Sequence, residues 1–282
     1  MTTTARSTMA RLMRHPSGAV GLLILATVVA MSLLAGVLFP NGPWTIAGAP
    51  RSWPGADPRF ILGTDALGRD MLAALFYGAR VSLAVGAIAA AVSLVIGILV
   101  GAMAGYYGGW VDDVLMRLTD AMQTIPSFLA AIAIVGILGA SLTTIISAIA
   151  IVSWPMIARL VRADFLRLRS YDFVHSCRII GMSDLRIIFG QILPNCLAPI
   201  IVSSSVLVAT AIITEASLSF LGLGDPNVMS WGTILQVGRP EIRGAWYMTA
   251  FPAVALVLTV LALNLIGDAL NDVLNPRLRE RS

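Results

Sequence analysis

The chain contains no lysine; all 19 of its basic residues are arginine. That absence excludes a phosphate-binding loop of the G-x-x-x-x-G-K-[ST] type, in which the lysine contacts the phosphates, and it excludes Schiff-base chemistry. Charge of either sign is scarce, at 12% of residues against about a quarter in soluble domains. Two cysteines, Cys177 and Cys196, are too few for a disulfide framework, and two histidines, His15 and His175, leave little from which to build a zinc site. What fills the space is apolar: 57% of residues are hydrophobic and the mean hydropathy is +0.86. The net charge of +4 does not point to nucleic acid, because the arginines gather at the ends of apolar runs and not on one face.

The apolar runs define spans. Residues 1–17 form a polar tail carrying Arg6, Arg11 and Arg14. An uncharged run of roughly 22 residues, 18–39, follows and has the length a bilayer core requires. It is too long for a signal-peptide core and no A-x-A site follows it, so it reads as a retained first span with its N-terminus in the cytoplasm. Residues 40–80, with Trp44, Trp53 and several prolines, read as an irregular extracytoplasmic loop. A core of five further helices is expected over 81–267, with a second span near 81–106 in which Gly97, Gly101 and Gly105 recur every fourth residue. That stripe lets another helix approach closely in lipid. Between Gly108 and Gln123 the spacing of Asp112, Asp113, Arg117 and Asp120 suits a short helix entering the third span at Pro126, and no charge occurs between Gln123 and Arg159. A single helix there would be about 50 Å long against a core of about 30 Å, so two spans turning near Gly139-Ala140-Ser141 are expected, with a kink at Trp154-Pro155. The fifth span is expected over 196–213, an outer segment over 215–245, the sixth span over 246–267 and a cytoplasmic tail over 268–282 with Arg277, Arg279 and Arg281. The result is an all-α, multi-pass protein of six transmembrane helices with both termini inside, and the arginine distribution agrees with the positive-inside rule.

One polar stretch interrupts this pattern. Residues 171–195 are too charged to cross lipid, yet carry more apolar side chains than a solvated loop needs. The stretch reads as two short helices broken at Gly181, with Ser183 capping the second, Asp184 in its first turn and Pro194 ending it or opening the next span. Such an elbow is offered either to a partner or to the lipid headgroups.

Ionisable residues deep in a membrane mark proton or ion coupling. Here Glu215 and Asp268 are expected only at span ends, and the only histidines lie in the tail and the elbow, so a proton-driven transporter and an enzyme are both disfavoured. Neutral polar residues remain as candidates for lining a translocation path, foremost Thr144, Ser147, Ser204, Thr214 and Asn264. Helix-to-helix hydrogen bonding is the alternative role for each.

The stretch from Gly181 to Leu193-Pro194-Asn195 resembles the cytoplasmic loop of ABC-importer permeases. The segments LGTDALGRD, YGARVSL, EASLSFLGLG, SWG and NLIGDALNDVLNPRLR resemble the second permease subunit of the dipeptide/oligopeptide/nickel importers. The resemblance extends from Gly18 to Arg279 and implies a type I ABC importer permease fold. It also implies partners: a second homologous permease, two cytoplasmic ATPases that bind ATP and Mg while this chain binds no cofactor, and an extracytoplasmic substrate-binding protein. The coupling loop, about 162–195, is implied to dock on an ATPase through His175, Ser176, Cys177, Ile179, Ile180, Gly181, Ser183, Asp184, Ile187, Phe189 and Pro194. His175-Ser176-Cys177 stands where the family has E-A-A, and Gln191 where it often has His. The cargo stays open between dipeptide, oligopeptide, peptide-like compound and metal chelate. A stand-alone channel or secondary transporter is the reading from a different class.

Overall fold

A computed structural model describes residues 11–274. Arg6 and the tail arginines 277, 279 and 281 lie outside the described residues. The chain forms helix α1 (Pro16–Leu38), α2 (Met71–Tyr107), α3 (Gly109–Thr124), α4 (Ser127–Leu138), α5 (Leu142–Leu168), α6 (Asp172–Ile179), α7 (Asp184–Ile187), α8 (Leu193–Leu218), α9 (Trp231–Gly238) and α10 (Tyr247–Leu274). Among the described residues, five helical stretches are long and apolar enough to cross a membrane; counting the bent pair α3–α4 as one makes six.

The third span is not a straight helix. α3 and α4 meet at Ile125-Pro126 with a bend of 81°. Proline at 126 cannot donate to the preceding turn, and it biases Ile125 to the extended backbone it adopts here (ψ 129°). α4 closes at Gly139 (φ +89°), and Ser141 caps α5 by accepting from Thr144 N–H at 3.2 Å. The turn at 139–141 is therefore where the uncharged run had to fold back, and α5 continues through Pro155.

The spans also run longer than hydropathy indicates. α2 starts at Met71, not near residue 81, because Asp70 caps it, its Oδ1 accepting from Leu72 N–H at 2.8 Å. Arg80 thus belongs to a helix rather than to the loop. Its Nε donates to the Ser32 carbonyl of α1 at 3.1 Å and its guanidinium lies over Tyr77. Along α2, Gly97, Gly101 and Gly105 lie against α5. A Cβ at Gly97 would come within 2.6 Å of Ile157 Cβ, and one at Gly105 within 2.9 Å of the Arg162 carbonyl. The two helices touch backbone to backbone.

The loop 39–70 is folded. Thr64 Oγ1 donates to the Ala49 carbonyl at 2.6 Å, the Tyr247 hydroxyl lies 2.9 Å from the Ser52 carbonyl and 2.7 Å from that of Thr64, and Trp53 packs edge-on against Trp246. Arg51 pairs with Glu241 at 2.6 Å, which ties this loop to the segment before α10. For convenience, this is the loop end of the bundle; residues 169–192 form the elbow end.

Candidate functional site

The elbow follows from its own residues. α6 carries Asp172 in its first turn and Arg178 in its last, each matched to the helix dipole. Gly181 then adopts φ +76°. Its N–H bonds the Arg178 carbonyl at 3.0 Å and Met182 N–H bonds that of Cys177 at 3.0 Å, the paired closure that a left-handed residue after a helix allows. Nothing lies within 4 Å of a Cβ placed on Gly181, so the backbone angle alone selects glycine there.

Beyond the break the structure departs from expectation. Ser183 occupies the cap position of α7, but its side chain makes no capping bond. α7 passes through a π turn (Ile188–Ile192) directly into α8, so of the two places expected for Pro194 it takes the second, exposed in the first turn of the next span. Ile187, expected on the docking face, is fully buried in this chain's own core. With Val174, Ile188 and Ile192 it packs against Tyr106, Phe165 and Leu168.

That burial sorts the elbow into two faces. The inner face clamps it to the ends of α2 and α5. The outer face presents Ile179 (85% exposed), Ile180 (74%), Leu185 (66%) and Phe189 (44%). His175 and Ser176 are exposed, Ser176 donating to the Asp172 carbonyl at 3.0 Å, and Cys177 is half-buried against the core. Four large apolar side chains are thus displayed around the break on a segment whose other side is fixed.

A cleft of about 420 Å³ opens between the α3–α4 bend, α5 and α8. Its polar lining is Gln123, Ser127, Ser153, Thr210 and Thr214. Of the five candidates for a translocation path, Thr214 lines it. Thr144 sits instead in the cap of α5, 2.9 Å from Ser141 Oγ. Ser147 on α5 and Asn264 on α10 are exposed elsewhere, and the Ser204 hydroxyl donates to the Ile201 carbonyl at 2.6 Å. An adjoining apolar cavity of about 470 Å³, sharing Phe128, continues along α8 past Ile213, Ser217 and Phe220.

Sequence reasoning also misplaced Glu215. It lies inside α8, not in an outer segment, and is 2% exposed. Ser219 Oγ donates to its Oε1 at 2.7 Å and Ser82 Oγ to its Oε2 at 3.2 Å. Ser82 Oγ in turn lies 3.3 Å from Trp231 N–H, and Trp231 Nε1–H donates to the Leu75 carbonyl at 3.1 Å. The carboxyl group joins α2, α8 and α9, with both oxygens hydrogen-bonded as a buried polar group requires.

A bundle of membrane-length helices, with one span broken beside a polar cleft and an amphipathic elbow between two others, defines a permease-like transport protein. Residues 97–280 match the family of binding-protein-dependent transport system inner membrane components, and the chain belongs to that family. It is 42% identical over 272 residues to the di/tripeptide transport system permease protein of Pseudomonas aeruginosa, covering 94% of this chain and 90% of that one. It is 40% identical over 275 residues to a dipeptide transport system permease protein of Alkalihalophilus pseudofirmus (97% and 90%). It is 39% identical over 269 residues to the glutathione transport system permease protein of Pectobacterium atrosepticum (95% and 89%). Among solved structures, an inward-facing MetNI methionine ABC transporter chain superposes with a TM-score of 0.58 at 19% identity, over 72% of this chain and 97% of that one, a likeness of fold.

Proposed function

We propose that this chain is one of two homologous permease subunits of an ATP-driven peptide importer in the cytoplasmic (inner) membrane. Both termini and the elbow face the cytoplasm, and the loop end faces outward toward a substrate-binding protein. Two ATPase subunits bind the ATP and Mg, and the cleft beside the α3–α4 bend supplies this chain's half of the path. Cargo is assigned to short peptides because the named relatives carry dipeptides, tripeptides and glutathione, itself a tripeptide. Orientation is assigned from the arginines: Arg11, Arg14, Arg117, Arg159, Arg162, Arg167, Arg169, Arg178 and Arg186 all fall in segments that six spans put on the same side as the elbow.

The observation that carries the reading is the outer face of the elbow. A segment clamped on one side to two spans and displaying Ile179, Ile180, Leu185 and Phe189 on the other is built to be gripped. Covering each of these side chains with a protein groove contributes about 1.5–3 kcal/mol of gross hydrophobic stabilisation. Ile179→Asp places a charge in that groove, and Gly181→Val forces a β-branched residue to a left-handed backbone, where it fits worst. Both variants are expected to insert normally, to lose co-purifying ATPase and to lose ATP-driven uptake, with Ile200→Val as control. If both retain the ATPase and transport at the control rate, the elbow is an interfacial helix only.

A further inference from the structure

The elbow is fastened to the membrane helices at one side chain that touches both of its halves. Tyr106, in the last turn of α2, is 4% exposed. Its hydroxyl donates to Asp184 Oδ1 at 2.6 Å, at the first residue of α7. Its ring lies under the guanidinium of Arg178, 5.1 Å from the centroid, in the last turn of α6. Arg178 and Asp184 stand on opposite sides of the Gly181 break, so one phenol spans the hinge. The end of α2 is held a second time from below, where Arg169 Nη1 donates to the Gly105 and Tyr106 carbonyls at 3.1 and 3.4 Å. Around the ring, Val174 from α6 and Ile187 from α7 fill the same apolar cluster.

The chemistry of these contacts differs in what it transmits. Apolar contacts resist separation but allow sliding. A hydrogen bond from a phenol to a carboxylate is directional and about twice as strong as a neutral one. From this we infer that Tyr106 is a strut: its bond to Asp184, made across the Gly181 hinge, forces the two elbow helices to move as one piece with α2, so that a displacement imposed on the elbow reaches the cleft. This rests on the elbow being the ATPase-docking segment. It makes Tyr106 a positioning residue for coupling and not part of the docking face, whose exposed residues are Ile179, Ile180, Leu185 and Phe189.

The test uses the assembled complex of both permeases and the ATPases in proteoliposomes. This chain carries Thr214→Cys in the cleft, with Cys177→Ser and Cys196→Ala removing its own thiols. The readout is the change in labelling by a water-soluble maleimide between the nucleotide-free and the ATP-vanadate states. Tyr106→Phe keeps the ring, the cluster and the Arg178 contact and deletes only the donor; Asp184→Ala deletes the acceptor. Both are expected to retain the ATPase while the nucleotide-dependent change in labelling falls about tenfold, the factor that one charge-assisted hydrogen bond is worth. Asp184→Asn, which still offers an oxygen to the phenol, should restore most of it. A full nucleotide response in Tyr106→Phe overturns the strut. So does loss of the ATPase from that variant, which would make the bond a matter of elbow folding. Ile179→Asp in the same background separates the two readings: ATPase retained there means that the docking assignment has failed, whatever Tyr106 does.

Discussion

Gly101→Ala tests whether the bundle is organised around the backbone contact of α2 with α5. A Cβ at Gly101 would overlap the Ala158 carbonyl oxygen and lie 2.8 Å from Val161 Cβ. The obstructing atoms are main chain and a branch point, so no flexible side-chain end can swing away. Ordinary carbon contacts need about 3.5–4.0 Å, so the helices must part by about 1 Å at this level, which loosens the dispersion contacts along both. Overpacking of this kind costs about 1–3 kcal/mol. Alanine returns up to about 1 kcal/mol through helix propensity, and because main-chain atoms obstruct the site the cost lies toward the upper end of that range, leaving a net loss of about 1–2 kcal/mol. Gly136 on α4 is the internal control, since it is helical and nothing lies within 4 Å of its Cβ position. Gly136→Ala should be neutral or mildly stabilising. At about 2–4 °C per kcal/mol for a chain of this size, thermal unfolding of the detergent-purified protein should drop by several degrees for Gly101→Ala and not for Gly136→Ala. Equal melting of the two variants would mean that the stripe does not set the helix spacing.

Two further outcomes follow from the bundle's ends. Reporter fusions at Ser282 and near Trp53 should report opposite sides of the membrane, Ser282 inside; the same side for both would refute the orientation. At the loop end, Asp225 Oδ2 accepts from Leu142 N–H at 3.0 Å and Oδ1 from Asn227 N–H at 2.9 Å, and the Asn227 bond in particular holds the carboxyl below the usual carboxylate range. A depressed folded-state value stabilises fully above the ordinary value near 3.8 and is lost as pH falls through the folded one. Asp225→Ala should therefore lower the unfolding midpoint at pH 7 by the worth of about one hydrogen bond, about 1 kcal/mol, and remove this part of the acid sensitivity. An unchanged midpoint at pH 7 would show that the α4–α5 turn does not depend on this tether.

The parts of the fold legible in the sequence are those set by local chemistry. The uncharged run from Gln123 to Arg159 had to turn because of its length, and Gly139 and Ser141 are the residues that close one helix and cap the next. Gly181 was legible because a left-handed closure needs glycine whatever surrounds it. The misreadings of Glu215 and Arg80 share one cause, which is partners distant in the chain. Glu215 reads as the end of a span because a carboxylate in lipid is costly. It is tolerated inside α8 because Ser82, 133 residues earlier, supplies one of its hydrogen bonds. Arg80 pushed the expected start of α2 inward, and its cost is offset by Ser32 and Tyr77. Ile187 reads as outward because a four-residue helix is too short to reveal its phase, and the π turn after it shifts the register of everything downstream. The short helix entering the third span at Pro126 was legible from the spacing of Asp112, Asp113, Arg117 and Asp120, but the 81° angle of that entry and the cleft beside it were not, since hydropathy carries no angle.

How the helices are joined separates the stiff part of the bundle from the compliant one. α2 and α5 meet backbone to backbone along the glycine stripe, and the elbow is bonded to both, through Tyr106 to α2 and through the cluster of Phe165 and Leu168 to α5. α4 packs on α5 through Ala131 and Val135 against Ile145, Ala148 and Ile149. α3 is different. Thr119 is its one buried residue, and it is held to α5 by the ion pairs of Asp112 with Arg162 (Nη2 to Oδ2, 2.6 Å) and of Asp120 with Arg159. Partly exposed ion pairs are worth little individually and leave the orientation of the two helices adjustable, whereas interlocked backbones do not. On the proposed coupling role, a load applied at the elbow would pass through α2 and α5, and the element least fixed against it would be α3, at the bend at Pro126. Gln123, Pro126 and Ser127, which line the cleft, sit at that bend. The cleft is thus bounded on one side by α8 and by α5, itself locked to α2, and on the other by the bend at the end of the sparsely buried α3, which is the arrangement a path needs if it is to change width while the rest of the fold keeps its shape.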